Sequence, residues 1–343
     1  MTGRATLQDV ALAAAVSAAT VDRVLNGRLP VRESTALRVI EAAEKLGYHG
    51  ARLMRERLRE RLPMRALGFC LQKRSHPFYL SFGQALSAAA SQQRPQACTA
   101  VIDYIDTLAP DQIAERLLSL GREVDAVAVV AVDHPYVTEA IERLHADGKP
   151  TFVLLSDVSA PLRAGYIGLD HRKNGRTAAW TMHRLATRTG PIGVFVGSHR
   201  YLGQETAEMS FRSYLREHAP GLRVLDARVN LEDTQVAYEA ALELLVRERE
   251  LAGLYIVGGG AAGVIRALRE EQGGRITTVC TELTAEHRQA LIDGRVDLVI
   301  ATPLQVIAAR AVEVMNRAID AGSAAPVAVQ HTVPFELYIA ENI

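Results

Sequence analysis

From Pro63 onward the chain alternates short apolar runs with stretches of helical period, and this alternation constrains the fold more than any other feature. The runs are "ALGFCL" (66–71), "ACTAVIDY" (97–104), "DAVAVVAV" (125–132), "TFVLLS" (151–156), "IGVFVG" (192–197), "LRVLDARV" (222–229), "GLYIVGG" (253–259), "ITTVC" (276–280) and "DLVIA" (297–301). Each has strand length, and amphipathic helical patterns fill most of the gaps. Repeated β-α units require parallel pairing with both sheet faces covered. More than eight such strands over about 280 residues suit two doubly wound parallel-sheet lobes better than one open sheet. Two such lobes enclose a cleft at the carboxyl ends of their strands, where small ligands bind.

The first 50 residues are all-α in pattern. Thr6 is an N-cap with Asp9 at the reciprocal capping-box position, ahead of Leu7, Val10 and Ala11 on one face. Ser17 caps a second helix with Thr20, Val21, Val24 and Leu25 inward, stopped by Asn26-Gly27. A third runs from about Arg32 to Leu46, where Gly47 ends it. The next segment, "YHGARLMRERLRER" (48–61), favours helix but is thin in apolar residues. It is expected to bury little and to be marginal alone, a linker that becomes helical on binding. The expected organisation is a head over 1–49, a hinge over 50–63 and a two-lobed domain over 64–343.

Charge supports this division. The 343-residue chain is neutral overall, but residues 1–62 hold 11 Lys+Arg against 7 Asp+Glu, leaving 28 against 32 for the rest. A basic end on a mildly acidic body fits a nucleic-acid footprint, although four charges also fit a solvated face. No apolar run approaches the length of a membrane helix, and "MTGRATLQDV" has no apolar signal core, so a cytoplasmic protein without membrane contact is expected. Cys70, Cys98 and Cys280 lie far apart in apolar stretches, which favours buried free thiols over a disulfide or metal site. No cofactor is expected. An enzyme is disfavoured: "GGGAAG" (258–263) is a lone glycine-rich turn without the dinucleotide fingerprint, and His76, His134, His171 and His199 are isolated in sequence.

"TLQDVALAAAVSAATVDRVLNG" followed by "VRESTALRVIEAAEKLGY" resembles, without a gap from Thr6 to Tyr48, the DNA-binding head of the lactose/galactose repressor family. The remainder is similar to that family's periplasmic-binding-protein-like (type I) effector domain, through "HPFY" (76–79), "YIGLDHRKNGRTAA" (166–179), "FRSYLRE" (211–217), "LYIVGGGAAGVIRAL" (254–268) and "TELT" (281–284). The resemblance implies a homodimeric transcription regulator, most simply a repressor. Its helix-turn-helix reads a palindromic double-stranded DNA operator, its hinge helix enters the minor groove, and a small effector, often a sugar, controls both.

By family position Ala18, Ala19 and Arg23 face base edges. Arg23 can pair bidentately with guanine, and the alanine methyls can touch thymine methyls, although alanines are also simply good helix formers. Asp22, where the family often has Ser, could accept from a cytosine amine or orient Arg23 and Arg28. Thr6, Ser17, Thr20, Asn26 and Thr35 suit phosphate contacts, though capping alone also explains Thr6 and Ser17. Two departures stand out. Ala14-Ala15 replaces the Gly common before the second helix. A positive φ there would cost alanine about 1 kcal/mol, so a slightly shifted turn is expected. In the hinge, Gly50 replaces the usual Pro, and Arg57 falls where the family wedges a Leu into a base step. Leu58 or Leu53 could be the wedge in another register, Arg57 could enter the minor groove, or the helix could be a charged linker. Arg52 is a further hinge contact.

For the effector cleft the resemblance implies Phe78, Tyr79, Asp157 and Glu282; Gly259 and Thr302 stand at further family positions, and His171 and Glu205 are alternative polar partners. Aromatic rings stack on sugar faces and carboxylates accept from hydroxyls. Phe78 and Tyr79 could instead be core, and Asp157 a loop cap. Several usual sugar partners are missing: Ala207 stands where an Arg is common, a Gly within 258–260 where a polar residue is, and Thr302 where Gln or Asn is. Arg172, His199 and Glu208 are alternative polar partners. The expected effector is a sugar, polyol or related metabolite; the alternative is a DNA-binding regulator whose cleft no longer senses ligand.

Overall fold

The computed structural model describes residues 5–27, 31–61, 64–93, 96–270 and 274–343, and all of their side chains except those of Glu33, Glu56 and 58–61. They form two compact units. The first holds the chain up to residue 66 with 90–99, and the second holds 67–89 and 100–343.

The first unit contains α1 (Leu7–Ala13), α2 (Ala18–Asn26), α3 (Glu33–Lys45) and α4 (Ala51–Arg61). Val10, Val21, Val39, Ile40 and Ala43, the inward positions of the helical repeat, form its core. The expected caps are present. Thr6 and Asp9 exchange hydrogen bonds as a capping box, and Ser17 Oγ accepts from Thr20 N at 3.2 Å. Gly27 ends α2 in the left-handed conformation.

The turn between α1 and α2 is not shifted as expected. Ala15 itself adopts φ +52, with Val16 N bonded to Ala11 O at 3.0 Å. The helix-turn-helix geometry is kept, and an alanine carries the strain that a glycine would avoid. The hinge segment also departs from expectation. It is helical and packed: Ala51 and Met54 are buried with the core of α1–α3. Two apolar residues suffice because charges assist, with Arg55 gripping both oxygens of Glu44 on α3. Arg57 donates to the carbonyl of Leu25 in the last turn of α2, where helix carbonyls lack intrahelical partners and favour a cation. Gly50 has a steric reason, since a Cβ would lie 2.7 Å from the Tyr48 ring.

The second unit carries two six-stranded sheets. The first-lobe sheet contains β1 (Arg65–Gln72), β2 (Cys98–Ile105), β3 (Ala126–Val129), β4 (Thr151–Leu154), β5 (Gly165–Leu169) and β11 (Val329–Val333). Its order is β11-β5-β4-β3-β1-β2. The second-lobe sheet contains β6 (Ile192–Val196), β7 (Arg228–Val229), β8 (Gly253–Val257), β9 (Thr277–Thr281), β10 (Leu298–Ala301) and β12 (Glu336–Tyr338), in the order β12-β10-β9-β8-β6-β7. The register is parallel where described, except that β12 runs antiparallel to β10. Helices α5 (Pro77–Gln92), α6 (Pro110–Glu123) and α7 (Pro135–Ala146) connect the first-lobe strands.

In the second lobe, α8 (His171–Leu185) and α9 (Leu202–His218) cover one face; α10 (Thr234–Arg247), α11 (Ala261–Glu270) and α12 (Ala285–Ile292) cover the other. Their inward residues, among them Met182, Phe211 and Leu215 on one side and Leu244, Val264 and Leu291 on the other, bury both sheet faces. The two doubly wound parallel lobes are thus as the alternating pattern requires. α13 (Leu304–Ala321) packs on β3, β5 and β11, so the chain crosses between lobes after β5, after β10 and again before β12.

Some elements differ from the pattern reading. The run 222–229 yields only the two-residue β7 and one bridge, Ile192 to Val224. β5, β11 and β12 were not among the expected runs: β5 carries two glycines in five residues, and β11 has polar residues at three of five. Cys70, Cys98 and Cys280 are buried thiols outside any disulfide among the described residues. No helix among the described residues is long and apolar enough to cross a membrane.

Candidate functional site

On the head, Ser17 and Thr20 meet at the start of α2, with hydroxyls 2.9 Å apart. Ala18, Ala19 and Arg23 are exposed. They lie along one stretch of α2, backed by buried Val21 and Val24. Asp22 is occupied, because its Oδ1 accepts from Asn26 Nδ2 at 2.6 Å, tying two candidate DNA contacts together. Arg28, the other proposed partner of Asp22, lies outside the described residues. Thr35 is half-buried in the first turn of α3, and Thr6 is exposed but engaged in its capping box. On α4, Arg52 and Leu53 are exposed. Arg57 is engaged with Leu25 and would have to release that carbonyl to enter a groove. The side chain of Leu58 lies outside the described residues.

The cleft of the second unit narrows to a cavity of about 80 Å³. Its walls come from the carboxyl ends of both sheets, as doubly wound topology dictates. The first lobe supplies Phe78 and Tyr79 after β1, Val130 after β3, and Leu155 and Ser156 after β4. Leu169 ends β5 and His171 opens α8. The second lobe supplies Tyr201 and Gln204 after β6, Glu232 after β7, Gly258 after β8, Glu282 after β9 and Thr302 after β10.

Two carboxyls therefore converge. Glu232 accepts from Gln204 Nε2 at 2.8 Å and from the Tyr79 hydroxyl at 3.4 Å. Glu282 has His76 Nε2 at 3.9 Å. Burial raises the pKa of both glutamates, and Glu232 raises that of Glu282 further. Burial likewise drives His76 down to about 4, assisted by His287 and Lys73, so it is neutral near pH 7. His171 is held below its ordinary value, chiefly by burial, and its Nε2 lies 2.6 Å from the Leu155 carbonyl. Three non-glycine residues of this lining, Leu155, Glu232 and Glu282, have positive φ (64, 52 and 68). Such backbone strain persists only where surrounding contacts enforce it, and it clusters at ligand sites.

Of the residues expected at the cleft, Phe78, Tyr79, His171, Glu282 and Thr302 are brought together here. Asp157 is not. Its carboxylate is held by Arg163 at 2.7 and 2.8 Å and by Gln330 at 2.8 Å, so it ties β11 to the first lobe. Glu205 is absent from the lining; the neighbouring Gln204 takes the inward position on α9. Gly259 is displaced from the lining by Gly258, and its carbonyl accepts from Asn230. Arg172 and His199 are exposed, and Glu208 pairs with Arg212. Ala207 has a packing reason: α9 approaches α8 so closely that a Cβ on Gly175 would meet the Ala207 carbonyl.

Glu232, Tyr201 and Gln204 were missed. The expected run 222–229 ends where β7 ends, and a search of the residues just past that end would have flagged Glu232, the acidic residue three positions later. No group of three or more His, Cys, Asp or Glu among the described residues could hold a metal.

Residues 6–50 match the family described as bacterial regulatory proteins, lacI family, and residues 67–323 match the periplasmic binding protein domain. An uncharacterized HTH-type transcriptional regulator in the aml 5′ region of Streptomyces limosus is 30% identical over 274 residues, which is 77% of this chain and 74% of the relative. The HTH-type transcriptional regulator MalR of Streptomyces coelicolor is 29% identical over 204 residues, 57% of this chain and 55% of the relative. Among solved structures, an ABC transporter solute binding protein from Agrobacterium vitis bound with α-D-tagatopyranose has a TM-score of 0.72 at 17% identity, covering 81% of this chain and 95% of its own. A second solute binding protein of that organism, with bound D-fucose, has a TM-score of 0.71 at 14% identity, covering 81% and 96%.

A helix-turn-helix head preceding a type I periplasmic-binding-protein-like domain defines a DNA-binding transcriptional regulator. The chain belongs to the lacI family of bacterial regulatory proteins.

Proposed function

We propose that this regulator acts in the cytoplasm as a homodimer on a palindromic operator, most simply as a repressor, and that a small carbohydrate-like effector bound in the cleft controls its DNA affinity. The convergence of Phe78, Tyr79, His171, Glu232 and Glu282 on one cavity at the strand ends carries this reading. Strained backbone at three lining positions supports a maintained site over a vestigial one. The sugars named for the two Agrobacterium vitis proteins lend support at the level of fold.

At the operator Arg23 pairs with guanine, and Ala18 and Ala19 select thymine by methyl contact. Ser17, Thr20, Asn26 and Thr35 hold the backbone, with Thr6 and Asp22 at the margin of the contact. Arg52 and Leu53 are the exposed hinge residues, and Leu53 is the better wedge because Arg57 is engaged. Ligand closes one lobe over the other and changes DNA affinity through a coupling of about 1–3 kcal/mol. The test is selection of bound sequences from a random DNA pool, with and without sugars, polyols and their derivatives. A palindromic motif whose recovery changes with one compound is the expected result. A motif insensitive to every compound would return the vestigial reading, and no motif would remove the assignment of α2.

A further inference from the structure

The chemistry of the cavity is one-sided. Glu232 and Glu282 line it, and none of its described lining residues is Arg or Lys. The nearby Lys73 directs its ammonium to main-chain oxygens, those of Leu231 at 3.0 Å and Glu232 at 3.4 Å. The groups bonded to the Glu232 carboxyl, namely Gln204, Tyr79 and the Gly259 backbone, are neutral. The basic side chain beside Glu282 is His76, kept uncharged by burial. Neither carboxyl thus has a cation of the protein against it among these partners. Separately, the Tyr201 hydroxyl lines the same cavity, is buried, and has no hydrogen-bond partner among the described residues. A buried hydroxyl left unbonded is costly, so it marks a place where a ligand atom is wanted.

Each ligand charge meets these groups differently. An anion faces two carboxyls, and the nearby cation Lys73 is turned to main-chain oxygens and lines no part of the cavity. A neutral polyol can exchange hydrogen bonds with either carboxyl but does nothing to stabilise the ionised form that burial disfavours. A protonated amine presents three donors and no acceptor, which suits two carboxyls and an unengaged hydroxyl, and the rings of Phe78, Tyr79 and Tyr201 add cation–π attraction. We propose that the effector is an amino sugar or amino polyol whose ammonium is held between Glu232, Glu282 and the Tyr201 hydroxyl, and that sugar acids and sugar phosphates are rejected. The proposal rests on the reading of this cleft as the effector site.

The experiment is calorimetric titration of the full chain with matched pairs on one carbon skeleton: glucosamine and glucose, galactosamine and galactose, mannosamine and mannose, 1-amino-1-deoxysorbitol and sorbitol, with glucuronate and galacturonate as the anionic arm. At least one amine should bind tenfold or more tighter than its hydroxyl twin, and both uronates should fail to bind. Glu282→Gln should remove that preference, and Tyr201→Phe should weaken the amine several-fold; the second variant serves if the first fails to fold. A hydroxyl twin that binds as well as its amine, or a uronate that binds, overturns the proposal and leaves the effector reading intact. If no compound binds and none alters DNA binding, both fall together.

Discussion

The two lobes share a topology and contribute opposite things to the cleft. The first offers mostly apolar and aromatic surface, with Phe78, Tyr79, Val130, Leu155 and Leu169 around one histidine. The second offers the carboxyls and an amide, with Glu232, Glu282 and Gln204, and the unbonded Tyr201 hydroxyl. One wall is built as a continuation of its core, the other as a set of buried polar groups held against their solvation preference. The first wall should therefore govern stability and the second ligand response.

Phe78→Ala is the heaviest test of that division. Phe78 packs edge-to-face on Tyr79 and against Phe82, so its truncation should lower unfolding stability by about 3 kcal/mol, measured by denaturant titration. A loss below 1 kcal/mol would show that this wall is not core.

The second test is acid. His76, His171 and His287 have folded pKa values below their ordinary 6.5. The unfolded chain therefore binds more protons, and stability present above pH 6.5 is lost as pH falls toward 4. For His76, at about 4, the loss at pH 5 is about 2 kcal/mol. His76→Asn should flatten the acid limb of the melting curve; an unchanged limb would remove His76 from it. Glu282 has the opposite sign. Its raised pKa means that stability falls as pH rises above the unfolded value. Glu282→Gln should then stabilise the protein at pH 8 by about 1 kcal/mol while abolishing ligand response, the trade expected of a functional polar site. Stability that drops in that variant would mean the second wall is structural too.

The smallest effect is expected in the head. There the left-handed residue, Ala15, shapes a turn and lines no cavity. Ala15→Gly should raise head stability by up to about 1 kcal/mol, because relief of strain outweighs the added freedom of the unfolded chain. Its effect on operator affinity should be slight.

The contrast between lobes also explains what could be read from sequence. Apolar runs and aromatic landmarks are local signals, so most strands of both lobes and the pair Phe78-Tyr79 were legible, while the glycine-bearing β5 and the polar β11 were not. Asp157 misled because Arg163, six residues on, captures its carboxylate, and a single sequence does not show which neighbour a charge will choose. Glu232 was hidden although the run 222–229 ends at the right residue, because nothing local distinguishes a buried glutamate three positions past a strand from a solvated one. The hinge was under-read for a related reason. Its helix borrows stability from Glu44 and the Leu25 carbonyl, partners supplied by other helices.

That borrowed stability alters what the operator has to provide. Fixing the backbone of one residue costs about 1–2 kcal/mol, so a helix of 11 residues assembled only on DNA would divert much of the contact energy into ordering. With Met54 already sequestered and Arg57 already anchored, that entropy is settled within the head before any duplex arrives. Association then resembles the docking of a finished surface. Its heat-capacity change should reflect the interface alone, without the large excess that accompanies folding on a template.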